Sequence, residues 1–154
     1  METVKKEKKD RVLSIRNLNI SFKTAYGVVK AIRGVRLDLF KGETIAIVGE
    51  SGSGKSVTVK TILGILDSNG IIDDGSIIFN YTDENGEKQS VDLVQMSQKE
   101  IRYQFCGKRI AMVFQDPMTS LDPTMTVGKQ IMQPMIYHLN LSKKEAKLKA
   151  KAAA

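Results

Sequence analysis

At 154 residues, with 42% hydrophobic and 27% charged side chains, the chain is long enough for one domain with a buried core and too apolar to be a disordered segment. Its one cysteine, Cys106, excludes an internal disulfide framework and fits a reducing compartment, its one histidine, His138, leaves too few ligands for a metal cluster, and no run of about 18 apolar residues is present to span a membrane. The net charge of +7 sits at the ends, +2 in residues 1–11 and +4 in residues 142–154 against +1 between them, so it marks solvated termini and no nucleic-acid surface, and the absence of Trp argues the same way.

Residues 1–11 form a charge-rich leader without apolar period, expected to be disordered, and Val12-Leu13-Ser14-Ile15-Arg16 after it lacks the apolar stretch of a secretory signal. Val12 to Phe22 alternates, and Val28 to Phe40 alternates through Ile32, Val35, Leu37 and Leu39, which predicts two strands paired around Ala25-Tyr26-Gly27. Lys41-Gly42 then turns the chain into Thr44-Ile45-Ala46-Ile47-Val48, a short apolar run that reads as a buried strand, and Val57 to Leu66 reads as a helix. Asp73-Asp74-Gly75 predicts a turn before a strand over Ser76 to Asn80, Asn85-Gly86 a hairpin between Phe79 and Val91, and Gln95 to Phe105 a polar surface helix.

Arg109 to Gln115 reads as a buried strand that delivers Gln115 at its end. Asp116 to Pro123 is too rich in breakers for regular structure. Val127 to Leu139 resumes helical spacing with Pro134 inside it, hence kinked or split, and Ser142 with Glu145 makes a capping box for a Lys/Ala-rich helix with hardly any apolar face. Cys106 reads as a small buried hydrophobe and His138 as a helix-surface residue; no internal repeat is present.

Between the predicted strand at 44–48 and the predicted helix stands Gly49-Glu50-Ser51-Gly52-Ser53-Gly54-Lys55-Ser56, which fills the phosphate-binding template G-x-x-x-x-G-K-[ST]. A loop that wraps phosphates must turn its backbone N–H groups inward, which the glycines allow, and the helix it opens into presents a partial positive charge. Lys55 adds a full charge near the β- and γ-phosphates, and Ser56 a compact hydroxyl for Mg²⁺. The strand before and the helix after argue against a chance Gly/Ser-rich turn. A dinucleotide fingerprint, G-x-G-x-x-G, would need a small residue where Val57 stands. Gly49, Glu50, Ser51, Gly52, Ser53, Gly54, Lys55, Ser56 and the adjoining Val57 are thus the candidate residues for a nucleoside triphosphate with Mg²⁺.

The run Arg109 to Pro123, Arg-Ile-Ala-Met-Val-Phe-Gln-Asp-Pro-Met-Thr-Ser-Leu-Asp-Pro, resembles the Q-loop region of ABC transporter ATPase subunits, within them the oligopeptide/dipeptide (and nickel) import group, and Gly49 to Ser56 is similar to that group's Walker A loop. The resemblance holds in order and spacing from about Val12 to the end. It implies ATP as the nucleotide, and an α/β P-loop NTPase core with an N-terminal antiparallel β-subdomain: residues 12–123 as the nucleotide-binding core and 124–154 as the start of a helical subdomain. It implies that Gln115 touches Mg²⁺ or the attacking water and senses the γ-phosphate, where spacing alone favours a strand-end amide capping its own loop. Tyr26 matches the place of the aromatic that stacks on adenine, or is an ordinary hairpin aromatic. The implied partners are transmembrane permease subunits meeting the 116–123 loop, a second ATP-binding subunit and, indirectly, an extracytoplasmic solute-binding protein; nucleic acid is not among them, and the implied location is the cytoplasmic face of the cell membrane.

The chain departs from the family in lacking an LSGGQ-type signature, an apolar strand ending in Asp-Glu and a switch histidine; His138 stands too early for that last role. The expectation is an N-terminal, truncated portion of an importer's ATP-binding subunit, incomplete at the C-terminus and without hydrolysis of its own. A non-hydrolysing nucleotide-binding fragment is the alternative. A soluble P-loop kinase or GTPase fits less well, because no Asn-Lys-x-Asp guanine-reading motif occurs.

Overall fold

Antiparallel pairing organises the first half of the chain. The computed structural model describes residues 10–114 and 121–152, which fall into two compact units, Met1–Tyr103 and Gln104–Ala154. In the first, strands β1 (Arg11–Thr24), β2 (Gly27–Phe40), β3 (Gly70–Thr82) and β4 (Lys88–Asp92) form one sheet in the order β2-β1-β3-β4, every pair antiparallel. The predicted hairpin is present, with Thr24 opposite Gly27 and Ala25-Tyr26 between them. Helix α1 (Lys55–Ile62) follows the phosphate-binding template.

The alternation of β1 accounts for its central position. Leu13, Ile15, Leu18 and Ile20 are buried with Ile32, Ile77 and Phe79 from the flanking strands and with Leu63 and Leu66 beyond α1. Burying each such side chain contributes about 1.5–3 kcal/mol. Arg16 Nη2 donates to both carboxylate oxygens of Asp38 at 2.7 Å and Arg11 stands 3.2 Å from the same carboxylate, which ties β1 to β2 through side chains as well as through their ladder.

Several elements differ from the sequence reading. Asp73-Asp74-Gly75 is no turn but a bulge inside β3, which runs unbroken from Gly70 to Thr82. Gly75, at φ +107°, presses so closely on β1 that an added Cβ would lie 2.6 Å from Asn17 O and Leu18 Cα and 2.7 Å from Arg16 O. An isolated glycine in a strand commonly marks such an approach. Asn17, at φ +47°, bends β1 to match, and its amide donates to Asp74 at 2.9 Å. The Asn85-Gly86 hairpin is present as a five-residue loop whose Asp83 carboxylate accepts from the N–H groups of Asn85 and Glu87 at 2.9 Å.

Helix α1 stops four residues short of the expected Leu66 because Gly64, at φ +62°, turns the chain, with its N–H bonded to Thr61 O at 3.1 Å. The polar helix α2 (Gln98–Gln104) is capped by Ser97, whose N–H donates to Glu100 at 2.8 Å, but it is more than a surface helix: Ile101 is buried against Gly64. The run Thr44 to Val48 forms no strand; Ile45, Ile47 and Val48 are exposed, and none of the described residues pairs with them.

In the second unit Arg109–Phe114 likewise forms no strand beyond one bridge between Cys106 and Ile110, and Val113 is 96% exposed. Helix α3 (Val127–Leu139) continues through Pro134 without splitting and ends at Asn140, left-handed at φ +51°. The predicted capping box opens α4 (Lys143–Ala152), where Ser142 N–H and hydroxyl donate to Glu145 at 2.9 and 2.6 Å. The expectation that α4 has hardly any apolar face is corrected: Ala146 and Ala150, four apart on one side, are buried. Cys106 is half-buried, not buried. Among the described residues no helix is long and apolar enough to cross a membrane.

Candidate functional site

The sequence Gly49 to Ser56 folds as a tight loop that hands directly into α1. Ser53 N–H donates to Glu50 O at 3.2 Å, and Gly52 and Gly54 sit at φ +80° and +89°, left-handed values that only glycine adopts cheaply. Gly54 also has no room for a side chain: a Cβ would meet Ile32 Cδ1 at 2.4 Å and Ala31 O at 3.2 Å. The middle of β2 therefore backs the loop, a placement that alternation alone did not reveal.

Gly54 is the N-cap of α1, so no side chain satisfies the helix's first N–H groups, and no acidic residue stands in the first turn. Those donors and the helix dipole are left for an external anion. The helix is secured from inside, where Thr58 N–H and hydroxyl both donate to Gly54 O, at 3.0 and 3.1 Å, and Thr61 hydroxyl to Val57 O at 2.8 Å; both threonines are buried.

Lys55 folds back over the loop. Its ammonium donates to Gly49 O at 2.8 Å, Glu50 O at 2.7 Å and Ser53 Oγ at 3.3 Å, so its three protons bind loop oxygens at the place where the charge of a phosphate would be met. Ser56, in the first turn, exposes its hydroxyl, and Val57 is half-buried behind it. Glycines that a Cβ would displace, an uncapped helix end, a loop-bound ammonium and an exposed hydroxyl together fit a magnesium-bound polyphosphate.

Tyr26 stands fully exposed at the tip of the β1–β2 hairpin; its N–H donates to Thr24 Oγ1 at 3.3 Å, and that hydroxyl donates to Gly27 O at 2.8 Å. Gln115 and residues 116–120 lie outside the described residues. After them Asp122 accepts from the N–H and hydroxyl of Thr124 at 2.8 and 2.6 Å, and these bonds, the hydroxyl's first, hold its carboxyl below the usual range. Among the described residues no cluster of His, Cys, Asp or Glu could hold a metal on its own. Two residues of the second unit escaped the sequence reading: Gln130, which braces the 122–125 turn, and His138, half-buried against Gly107. Gly107 after Cys106, a turn glycine at φ +77°, was the available signal for the second.

A family model described as ABC transporter matches residues 32–154. The dipeptide transport ATP-binding protein DppD of Lactococcus lactis subsp. cremoris (strain MG1363) is 47% identical over 142 residues, 92% of this chain and 38% of that protein. The oligopeptide transport ATP-binding protein OppD of Bacillus subtilis (strain 168) is 50% identical over 141 residues, 91% of this chain and 37% of that protein. Among solved structures, the dimeric post-hydrolysis state of the ATP-binding cassette MJ0796 bound to ADP and Pi matches with a TM-score of 0.64 at 24% identity, covering 91% of this chain and 54% of that one, a likeness of fold. The chain thus spans somewhat over a third of the length of the curated relatives it matches.

Proposed function

Because this chain belongs to the ABC transporter family, we propose that it is the nucleotide-binding portion of an ATP-binding subunit that couples ATP binding and hydrolysis to the import of dipeptides or oligopeptides. The observation that carries the proposal is the loop from Gly49 to Ser56, with its uncapped helix end and Lys55 bound to Gly49 O and Glu50 O. Residues 12–123 form the nucleotide-binding core in this reading, and 124–154 begin a helical subdomain.

The loop amides and the first N–H groups of α1 bind the phosphates of ATP, Lys55 neutralises the β- and γ-phosphate charge, and Ser56 offers its hydroxyl to Mg²⁺. Mg²⁺ held there would supply charge neutralisation to the phosphates. Tyr26 presents an unobstructed ring for adenine, and Gln115 holds the attacking water or the metal by its amide. The permease subunits meet the 116–123 loop at the cytoplasmic face of the membrane, and a second ATP-binding subunit completes the hydrolytic site.

These 154 residues contain neither the LSGGQ-type signature nor an Asp-Glu strand, so by themselves they bind MgATP without turning it over. The test is calorimetric titration with MgATP of the chain and of Lys55→Ala. Removing a charged hydrogen-bonding group from a phosphate site costs about 1.5–3 kcal/mol, a loss of roughly ten- to a hundred-fold in affinity. Equal affinity in the two proteins, or a preference for GTP over ATP, would overturn the assignment.

A further inference from the structure

Tyr26 is fully exposed, so its place is set by the backbone of the β1–β2 hairpin and not by packing. The sheet gives that hairpin little support. β3 reaches β1 no further than Gly70 opposite Phe22, and beyond Phe22, among the described residues, β1 pairs with β2 alone. A two-stranded hairpin is marginal by itself. The residue before β3 extends the support by one position. Asn69 O accepts from Lys23 N–H at 2.9 Å, and Asn69 Nδ2 donates to Lys23 O at 3.0 Å. The carboxamide stands in for the next backbone donor of a third strand, so one residue holds both backbone groups of Lys23.

Asn69 is itself anchored. Gly70 N–H donates to Asp67 O at 2.8 Å and closes the 67–70 turn, and a Cβ on Gly70 would lie 2.8 Å from Leu66 Cγ and 3.0 Å from Phe22 Cε1. Leu66 is buried and its carbonyl accepts from Gln98 Nε2 at 3.1 Å, while Asp67 stands 3.7 Å from Lys60 in the last turn of α1. On the hairpin side, the Thr24 hydroxyl next to Lys23 accepts from Tyr26 N–H at 3.3 Å and donates to Gly27 O at 2.8 Å, which carries the grip on Lys23 to the tip. We propose that Asn69 is a positioning residue for the base end of the nucleotide site: it clamps the hairpin at Lys23 and so sets where Tyr26 is presented. A ring held in place before the base arrives spares the ordering cost that a loose hairpin would charge against affinity.

The role toward the base rests on the nucleotide-binding reading above; the clamp itself does not. Two measurements on the full chain separate them. The first compares calorimetric affinities for MgATP and for magnesium tripolyphosphate, which offers phosphates without a base. Tyr26→Ala is expected to weaken MgATP binding about five- to a hundred-and-fifty-fold, the range of a lost base–aromatic stack. Asn69→Ala, at an exposed position, is expected to weaken MgATP binding about three- to ten-fold and to leave tripolyphosphate binding unchanged. In the Tyr26→Ala background, Asn69→Ala should have no further effect, because the hairpin then has no ring to place. Equal losses for the two ligands, additive losses in the double variant, or no loss at all overturn the positioning role.

The second is amide hydrogen exchange without nucleotide. Asn69→Ala is expected to speed exchange at residues 23–28 about five-fold, one neutral hydrogen bond's worth, while residues 13–20 keep their protection. Unchanged exchange at 23–28 overturns the clamp. If tripolyphosphate binds and Tyr26→Ala leaves the MgATP affinity unchanged, Tyr26 does not meet the base and the positioning role falls with it. If the unaltered chain binds neither ligand, it is the nucleotide-binding reading that fails, and exchange still decides the clamp.

Discussion

The four-stranded sheet and the two apolar runs at 44–48 and 109–114 have similar composition and opposite fates. Ile15, Leu18, Ile20 and Ile77 are wholly buried, whereas Val48 is 87% exposed and Val113 96%. The difference lies in where partners come from. β1 finds β2 across the Ala25-Tyr26 turn and β3 within the same unit, because antiparallel neighbours can be joined by short connections. A run that is apolar on both faces suits the interior of a parallel sheet, whose neighbours arrive only through crossovers. An apolar run thus signals a demand for burial; the supply has to come from elsewhere.

The strongest way to break the comparison is to strike the self-sufficient sheet at its tightest point. Gly75→Ala would force a Cβ onto the backbone of Arg16, Asn17 and Leu18 and an alanine into φ +107°. With no flexible side chain to yield, the expected cost exceeds about 4 kcal/mol, a large part of a domain's stability. Circular dichroism should show little folded sheet; a native-like unfolding curve would mean that the bulge is not built as described.

A matched pair sharpens the contrast. Ile15→Ala, at a wholly buried position on the central strand, should cost about 2–5 kcal/mol in urea unfolding, while Val48→Thr should stay within about 0.5 kcal/mol. Comparable losses at the two sites would show that the 44–48 run is packed in solution and that its exposure is wrong.

The same contrast explains what was legible beforehand. Period-two alternation placed β1, β2 and their turn, and the capping pair Ser142–Glu145 is local, so its helix starts where short-range chemistry puts it, whereas the pair Ser97–Glu100 went unread and its helix starts at Gln98, three residues after the expected Gln95. The loop from Gly49 to Ser56 was legible because each of its requirements, left-handed glycine, uncapped helix and lysine, is written in adjacent residues. Contacts between distant residues were not. Gly75 looked like a turn because nothing near it in sequence shows that Leu18 lies against it, and Gly54's need for smallness comes partly from Ile32. His138 looked like a surface residue because its neighbour Gly107 is thirty-one positions away. The strand expected at 44–48, and the described part, 109–114, of the one expected at 109–115, failed for the converse reason: local apolarity was read as pairing.

The mildest test probes the ion pairs that Asp38 makes between β2 and β1. The Arg16 guanidinium donating to Asp38, with the Ser14 hydroxyl and the Arg11 charge adding to it, holds the carboxyl below its usual range despite the opposing effect of burial. A carboxyl whose folded pKa is depressed contributes stability that is present in full above its unfolded pKa and is lost as pH falls through the folded value. The melting temperature of the chain should therefore exceed that of Asp38→Asn by a constant margin near neutrality, and the margin should shrink as pH drops below about 4. Adding 1 M salt should weaken the Arg11 contribution, at 3.2 Å and half exposed, more than the two-point Arg16 contact at 2.7 Å, so that part of the margin survives. A margin indifferent to pH would mean that the pair is solvated and that β1 and β2 are held beside it by their ladder alone.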